Sequence, residues 1–293
     1  MTNASDAATA PPLVGAFNYL TASVEHSLYR NGKVYTRRDL DGSDARWEGA
    51  HLESQQMPVY DARRFEATDT RSLAANGFEL QPRPLVEPDI DFFNHEQLVR
   101  KYYPQCAEIV RAAIGVRIAA AFDHNIRSAS GKQSKRRIEG GQQVQGPAHV
   151  VHGDYTLTSA VQRLRDLTRP PTGNDTLRSV LGDGASLLNQ TEVEHAVAAG
   201  RFAIINVWRN IAHEPVATYP LALCDASSVR PEDLVVFEIH YPDRIGENYF
   251  ARHSNLHRWY FYPALTRDEA LLIKQWDSAG ELARSKGARA DSH

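Results

Sequence analysis

The sequence predicts a mainly β protein with flanking helices, arranged as an antiparallel double-layer barrel or jelly roll. Three observations carry this expectation. Short runs rich in β-branched and aromatic residues fill the second half, at 202–208, 221–224, 234–241, 249–252 and 257–262, separated by turn residues. These runs follow one another without the regular strand–helix alternation of a doubly wound sheet. No Gly-x-Gly-x-x-Gly or Gly-x-x-x-x-Gly-Lys-Ser/Thr phosphate cradle occurs anywhere in the chain. Closing such strands into a barrel with the helices packed outside removes their open edges.

A chain of 293 residues can bury a full core, and its 42% hydrophobic and 24% charged residues are those of a soluble globular protein. The net charge of −3 gives no electrostatic ground for binding nucleic acid or an anionic membrane. One basic cluster, Lys132 to Arg137, lies in a Gly/Ser-rich stretch and reads as a solvated loop. Two distant cysteines, Cys106 and Cys224, make neither a disulfide framework nor a zinc motif. No apolar run reaches the length of a membrane span, and residues 1–12 lack the basic start and apolar core of a signal peptide. The expectation is a cytoplasmic protein. It has a disordered tail (1–12), a single domain (13–280) and a polar tail (281–293). The barrel core spans about 116–278, with a helical insertion at 158–200.

In chain order, residues 14–20 and 33–38 read as strands joined through Asn31-Gly32, a good hairpin turn. Residues 47–56 are polar and read as loop, 58–61 as a short strand, and 69–77 as a short helix ended by Gly77. Residues 81–88 hold three prolines and read as extended connector. The clearest helix spans 94–114. Asn94 can cap it, Leu98, Tyr102, Cys106, Ile109, Val110 and Ala113 recur at helical spacing, Pro104 kinks it and Gly115 stops it. Residues 116–126 form a long strand candidate. The stretch 128–146 reads as a mobile loop, a flap beside the strand that carries His152. Helices are expected at 158–167 and at 191–199, the second opened by a Thr191–Glu194 capping box. Thr266 and Glu269 form another capping-box turn.

The chemistry centres on His152-Gly153-Asp154. Two residues apart on an extended strand, an imidazole and a carboxylate point to one side and offer two ligands for a divalent metal. His-x-Asp alone is no rarer than chance, so a third ligand is needed. His257, His240 and His253 lie on or beside later strands, whereas His149 would face the opposite side from His152. Two histidines and one carboxylate leave three positions open, the arrangement suited to iron(II) oxygenases.

Five ordered blocks carry a resemblance. They are Val151-His152-Gly153-Asp154-Tyr155-Thr156, Asn206-Val207-Trp208-Arg209-Asn210-Ile211, the run 220–228, His257-Arg258-Trp259-Tyr260-Phe261-Tyr262-Pro263, and the run 266–278. Together they resemble the hydroxylase/desaturase family of the aspergillic acid pathway, which includes small-chain relatives of the cephamycin 7α-methoxylase system. Gly153 stands where Asn is common in that family, and Asn210 where Pro is usual. The resemblance implies a double-stranded β-helix of the cupin-like kind, with iron(II), 2-oxoglutarate as cosubstrate and O2. It makes His152, Asp154 and His257 the metal ligands. The far carboxylate of 2-oxoglutarate needs a cation, and Arg209 and Lys274 are the two candidates. Tyr155, Trp259 and Phe261 would touch substrate. The implied reaction hydroxylates, desaturates or oxidatively cyclises a small molecule. The alternatives are a non-oxidative metal enzyme on the same barrel, or a non-catalytic accessory chain of a partner oxygenase.

Overall fold

A computed structural model describes residues 11–38, 46–64, 72–129, 144–172, 175–242 and 244–285. Three sheets form. The first runs in the order β1 (Leu13–Leu20), β3 (Leu52–Asp61), β10 (Trp259–Phe261), β7 (Ala222–Cys224). The second is β4 (Phe78–Pro82), β11 (Glu269–Asp277), β6 (Ala203–Trp208), and the third is β2 (Tyr35–Arg37), β8 (Leu234–His240), β9 (Ile245–Ala251), β5 (His152–Gly153). The first and second sheets face each other across a core of Phe78, Leu223, Tyr260, Tyr262, Leu265 and Leu271. The third is stitched to the first where Asn18 bridges Val150 and Leu20 bridges Arg252. The β1–β3 pair thus sits between Arg252 on one side and β10 on the other.

Several sequence expectations need correction. Asn31-Gly32 does turn the chain, with Gly32 at φ +69°, but it closes no hairpin. Both backbone N–H groups donate to Glu238 Oε1, at 3.1 and 2.7 Å. The turn therefore delivers β2 to β8 as a parallel neighbour, while β1 pairs antiparallel with β3. The second half of the polar loop expected at 47–56 belongs to β3, whose alternation of exposed and buried residues is that of a one-sided strand. Residues 116–126 form no strand. Phe122 and Ile126 pack against the first helix instead, and ladder bonds appear only where Gln145 N donates to Ile126 O and Ser128 N to Gln145 O.

That first helix, α1, runs His95–Gln97, widens to a π-helical stretch over Leu98–Tyr102 and continues through Tyr103–Ile114. Asn94 Oδ1 accepts from Gln97 N, as its cap position predicts. The π-helical stretch ends just before Pro104, whose missing N–H breaks the regular ladder. Gly115, in the left-handed conformation at φ +64°, ends the helix. Helix α2 spans Ser159–Asp166 and α3 spans Gln190–Ala198. The cap of α3 is Asn189, upstream of the Thr191 box, with its side chain accepting from Glu192 N. A short α4, Glu281–Arg284, follows β11. Most of the flap at 128–146, the basic cluster Lys132 to Arg137 and part of the helix expected at 69–77 lie outside the described residues.

Candidate metal centre

β5 is only two residues long, but it is held on both edges. His152 and Gly153 pair with Phe250 and Tyr249 of β9, and Val151 N donates to Asn18 O of β1 at 3.0 Å. Alternation then fixes the faces. Val151 packs with Tyr19, Met57, Val59 and Trp259 on one side, so His152 emerges on the other. The chain bends at Asp154, just past β5, and His152 Nε2 comes within 3.5 Å of Asp154 Oδ1.

The protonation pattern of the imidazole follows from its partners. His152 Nδ1 lies 2.8 Å from Val150 O, and a carbonyl can only accept. Nδ1 therefore carries a proton, and Nε2 is the nitrogen turned toward the carboxylate, with a proton or a metal ion able to sit between the two. This outer-shell arrangement orients a metal-binding histidine. Asp154 is oriented in turn: Asn206 Nδ2 donates to its Oδ2 at 3.1 Å, and its backbone N–H donates to Gln275 Oε1 at 3.1 Å. Burial pushes the Asp154 carboxyl up, but His152, Asn206 and the Arg127 charge outweigh it and hold it below the usual carboxylate range. Burial likewise pulls His152 down, and the bond and charge of Asp154 reverse this and raise it. Arg127 acts electrostatically on both residues; its Nη1 donates to Gly146 O at 2.9 Å, and burial lowers its own pKa.

The remaining predicted residues do not join the pair. His257 lies in the Tyr19–Trp259 layer, on the face of the sheet opposite His152. Both its ring nitrogens are engaged. Trp259 Nε1 donates to Tyr19 Oη (2.8 Å), the Tyr19 hydroxyl donates to His257 Nδ1 (3.0 Å), and His257 Nε2 donates to Asp233 Oδ2 (3.2 Å). No lone pair on that ring is left for a metal. Among the described residues, no three His, Cys, Asp or Glu side chains gather as a metal site. Trp259 stacks on Phe17 with centroids 4.2 Å apart, and Phe261 joins the same packed layer. The face that carries His257 is therefore packing surface, and Tyr260 is the aromatic that turns into the space between the sheets. Tyr155 packs beside Leu157, Tyr249 and Trp276.

Both expected cations are also elsewhere. Asn206, which reaches Asp154, pairs with Ile273, whereas Lys274 pairs with Ile205 and so takes the opposite face of the sheet. There Nζ lies 3.6 Å from Asp277 Oδ2, a carboxylate also held by Arg201. Arg209 is buried against α1. Its Nε donates to Tyr102 Oη at 2.9 Å and its Nη1 to Arg267 O at 2.6 Å. Reading the sequence missed Arg127, Asn206 and Gln275. Asn206 had a signal, since it is the polar residue at the inward parity of Ile204-x-Asn206-x-Trp208.

Comparison with known proteins adds the kinship. The chain matches, over residues 17–293, the profile of the family described as "Oxidoreductase/YMDC permease-like domain". It belongs to that family. Among the described residues of this family member, no helix is long and apolar enough to cross a membrane. A protein of Methylophilus leisingeri, described as an uncharacterized protein in the dcmA 3' region, is 46% identical over 195 residues, 66% of this chain and 88% of the relative. The alpha-ketoglutarate-dependent dioxygenase tstK of Talaromyces stipitatus is 24% identical over 264 residues, 88% of this chain and 84% of tstK. Among solved structures, the iron and alpha-ketoglutarate-dependent endoperoxidase NvfI superposes with a TM-score of 0.64 at 17% identity, covering 92% of this chain and 86% of NvfI. That likeness establishes the shared fold, and the fold is the jelly roll that the strand order predicts.

Proposed function

We propose that this family member is an iron(II)- and 2-oxoglutarate-dependent oxygenase that hydroxylates, desaturates or oxidatively cyclises a small molecule of secondary metabolism. The observation that carries the proposal is the His152–Asp154 edge, an imidazole nitrogen and a carboxylate oxygen 3.5 Å apart with both side chains locked from behind. The kinship with tstK supports the choice of cofactors. The five sequence blocks favour the aspergillic-acid-type hydroxylase/desaturase branch, and the composition favours a cytoplasmic setting with residues 13–280 as one working unit.

His152 Nε2 and Asp154 Oδ1 would hold the iron. With 2-oxoglutarate and O2 bound, the iron supplies the oxidising power to break an unactivated C–H bond. The chain's own residues do the positioning. Val150 O fixes the ring of His152, and Asn206 and Gln275 fix Asp154, so neither ligand has to be ordered when the metal arrives. Arg127, whose Nη1 donates to Gly146 O and whose charge reaches the His152–Asp154 pair, joins Arg209 and Lys274 as a candidate for the cosubstrate's far carboxylate. His257 would occupy the third ligand position only by leaving Tyr19 and Asp233.

The test is an anaerobic titration with iron(II) and 2-oxoglutarate, followed by the weak visible charge-transfer band. The native chain is expected to show it and His152→Ala to lose both band and iron. A folded His152→Ala variant with full iron content and turnover would end the proposal.

A further inference from the structure

β5 ends where the metal pair begins. Its ladder to β9 joins His152 to Phe250 and Gly153 to Tyr249, and the next rung would join Asp154 to Asn248. The backbone bends there instead. Side chains take over both peptide groups of Asp154. Its N–H donates to Gln275 Oε1 at 3.1 Å, and its carbonyl accepts from Asn248 Nδ2 at 3.1 Å. Asn248 Nδ2 also donates to Glu247 O at 2.9 Å. Both acceptors are carbonyls, so the NH2 group is the end of the amide that faces them.

Successive side chains of β9 point to opposite faces of the sheet. Asn248 therefore shares a face with Phe250 and with His152, whose rings stand 6.4 Å apart. Glu247 is buried on the other face. There it accepts from Thr156 Oγ1 and pairs with Arg30 Nε at 2.6 Å. Thr156 Oγ1 accepts in turn from Ser159 N at 3.0 Å, at the start of α2. Two neighbouring residues of one strand thus grip the segment 154–156 from opposite faces, and the chain crosses the edge of β9 between the grips. Glu247 fixes the far side. Asn248 fixes the near side, at the residue that carries the carboxylate. The three side chains on Asp154 come from three strands in two sheets: Asn206 from β6, Gln275 from β11 and Asn248 from β9. Asn206 and Gln275 tie the residue to the second sheet. Asn248 ties it back to the strand on which His152 is registered.

We propose that Asn248 is a positioning residue of the metal site. Its amide holds Asp154 O where the chain leaves β9 and so keeps the carboxylate turned toward His152. That the ion is iron rests on the function proposed above; the positioning does not. The experiment uses cobalt(II) alone as the probe, added to the full-length chain without 2-oxoglutarate, with affinity and coordination read from its visible d–d bands. The native chain should bind it, and His152→Ala should lose the bands, which assigns them to this site. Asn248→Ala and Asn248→Leu, the second keeping the volume without the donor, should bind about 10- to 100-fold more weakly and show shifted bands at saturation. Their metal-free melting temperatures should fall by about 2–4 °C. A purely structural role would move the melting temperature and leave affinity and bands unchanged. Native-like affinity and bands in either folded variant, bands kept by His152→Ala, no cobalt binding by the native chain, or failure of both Asn248 variants to fold would each overturn the proposal. Cobalt binding that depends on Asn248, in a native chain without the 2-oxoglutarate charge-transfer band, would end the proposed function and leave this inference standing.

Discussion

Replacing Asn206 with alanine tests whether the Asp154 carboxylate is held for a metal. Asn206 Nδ2 donates to Asp154 Oδ2 at 3.1 Å, and this bond leaves Oδ1 turned toward His152 Nε2. Without it the carboxylate keeps only the backbone anchors to Gln275 and Asn248 and can rotate away from the imidazole. Loss of a comparable outer-shell partner lowers metal affinity by about 10- to 100-fold, equivalent to about 1.4–2.8 kcal/mol of binding free energy. Fold stability should hardly change, because Asn206 is exposed and its truncation strands no buried donor; a shift within about 0.5 kcal/mol is expected. The assay is an anaerobic iron(II) titration by calorimetry, paired with a thermal melt. Native-like iron affinity in a variant with a native-like melt would refute the view that Asp154 is positioned as a ligand.

Other expectations rest on the same geometry. His257→Ala should lose about 2 kcal/mol of stability by breaking the relay from Tyr19 to Asp233, yet keep iron affinity within about twofold. A tenfold loss of affinity in a folded variant would return His257 to the metal centre. Glu269 accepts both Arg63 nitrogens, at 2.7 and 2.9 Å, and both Thr266 donors. Burial would raise its pKa, but these partners outweigh burial and lower it. A lowered carboxyl stabilises the fold above the ordinary carboxylate pKa and stops doing so as pH falls through the folded-state value. Glu269→Gln should therefore melt well below the native chain at pH 7, by about 1–3 kcal/mol, and the gap should close on titration below about pH 4.3. A gap that persists in acid would show that the pair contributes through packing and not through charge.

Much of the fold was legible because it rests on local rules. The Asn94 cap, the Gly115 stop and the apolar spacing between them determine α1 whatever surrounds it. The β-branched and aromatic runs at 202–208 and 234–241 likewise announce β6 and β8. Pairing was not legible. Asn31-Gly32 turns as its residues demand, but the partner of β2 is chosen by Glu238, two hundred residues away in sequence. Residues 116–126 are apolar because they cover a helix, and an apolar run looks the same whether it lies in a sheet or beneath a helix. The same limit governs the site. His152 and Asp154 follow from a two-residue period, which a single strand contains. The face taken by His257, Lys274 or Arg209 depends on sheet registers and packing partners, which no single strand contains.

The placement of β1 also bears on how the protein comes to be made. During synthesis β1 and β3 can pair early, but the ribbon then has both edges open. The outer edge of β1 waits for Val150 and Arg252, and that of β3 waits for Trp259. At translation rates of roughly 5–20 residues per second, the wait from Leu20 to Arg252 lasts about 12–46 s. Through that interval the nascent chain displays an unfinished sheet, open to pairing with a neighbouring chain. The residues that close the ribbon are also those that bring His152 into line. Ligand geometry and protection from aggregation are therefore completed together, at the end of the chain.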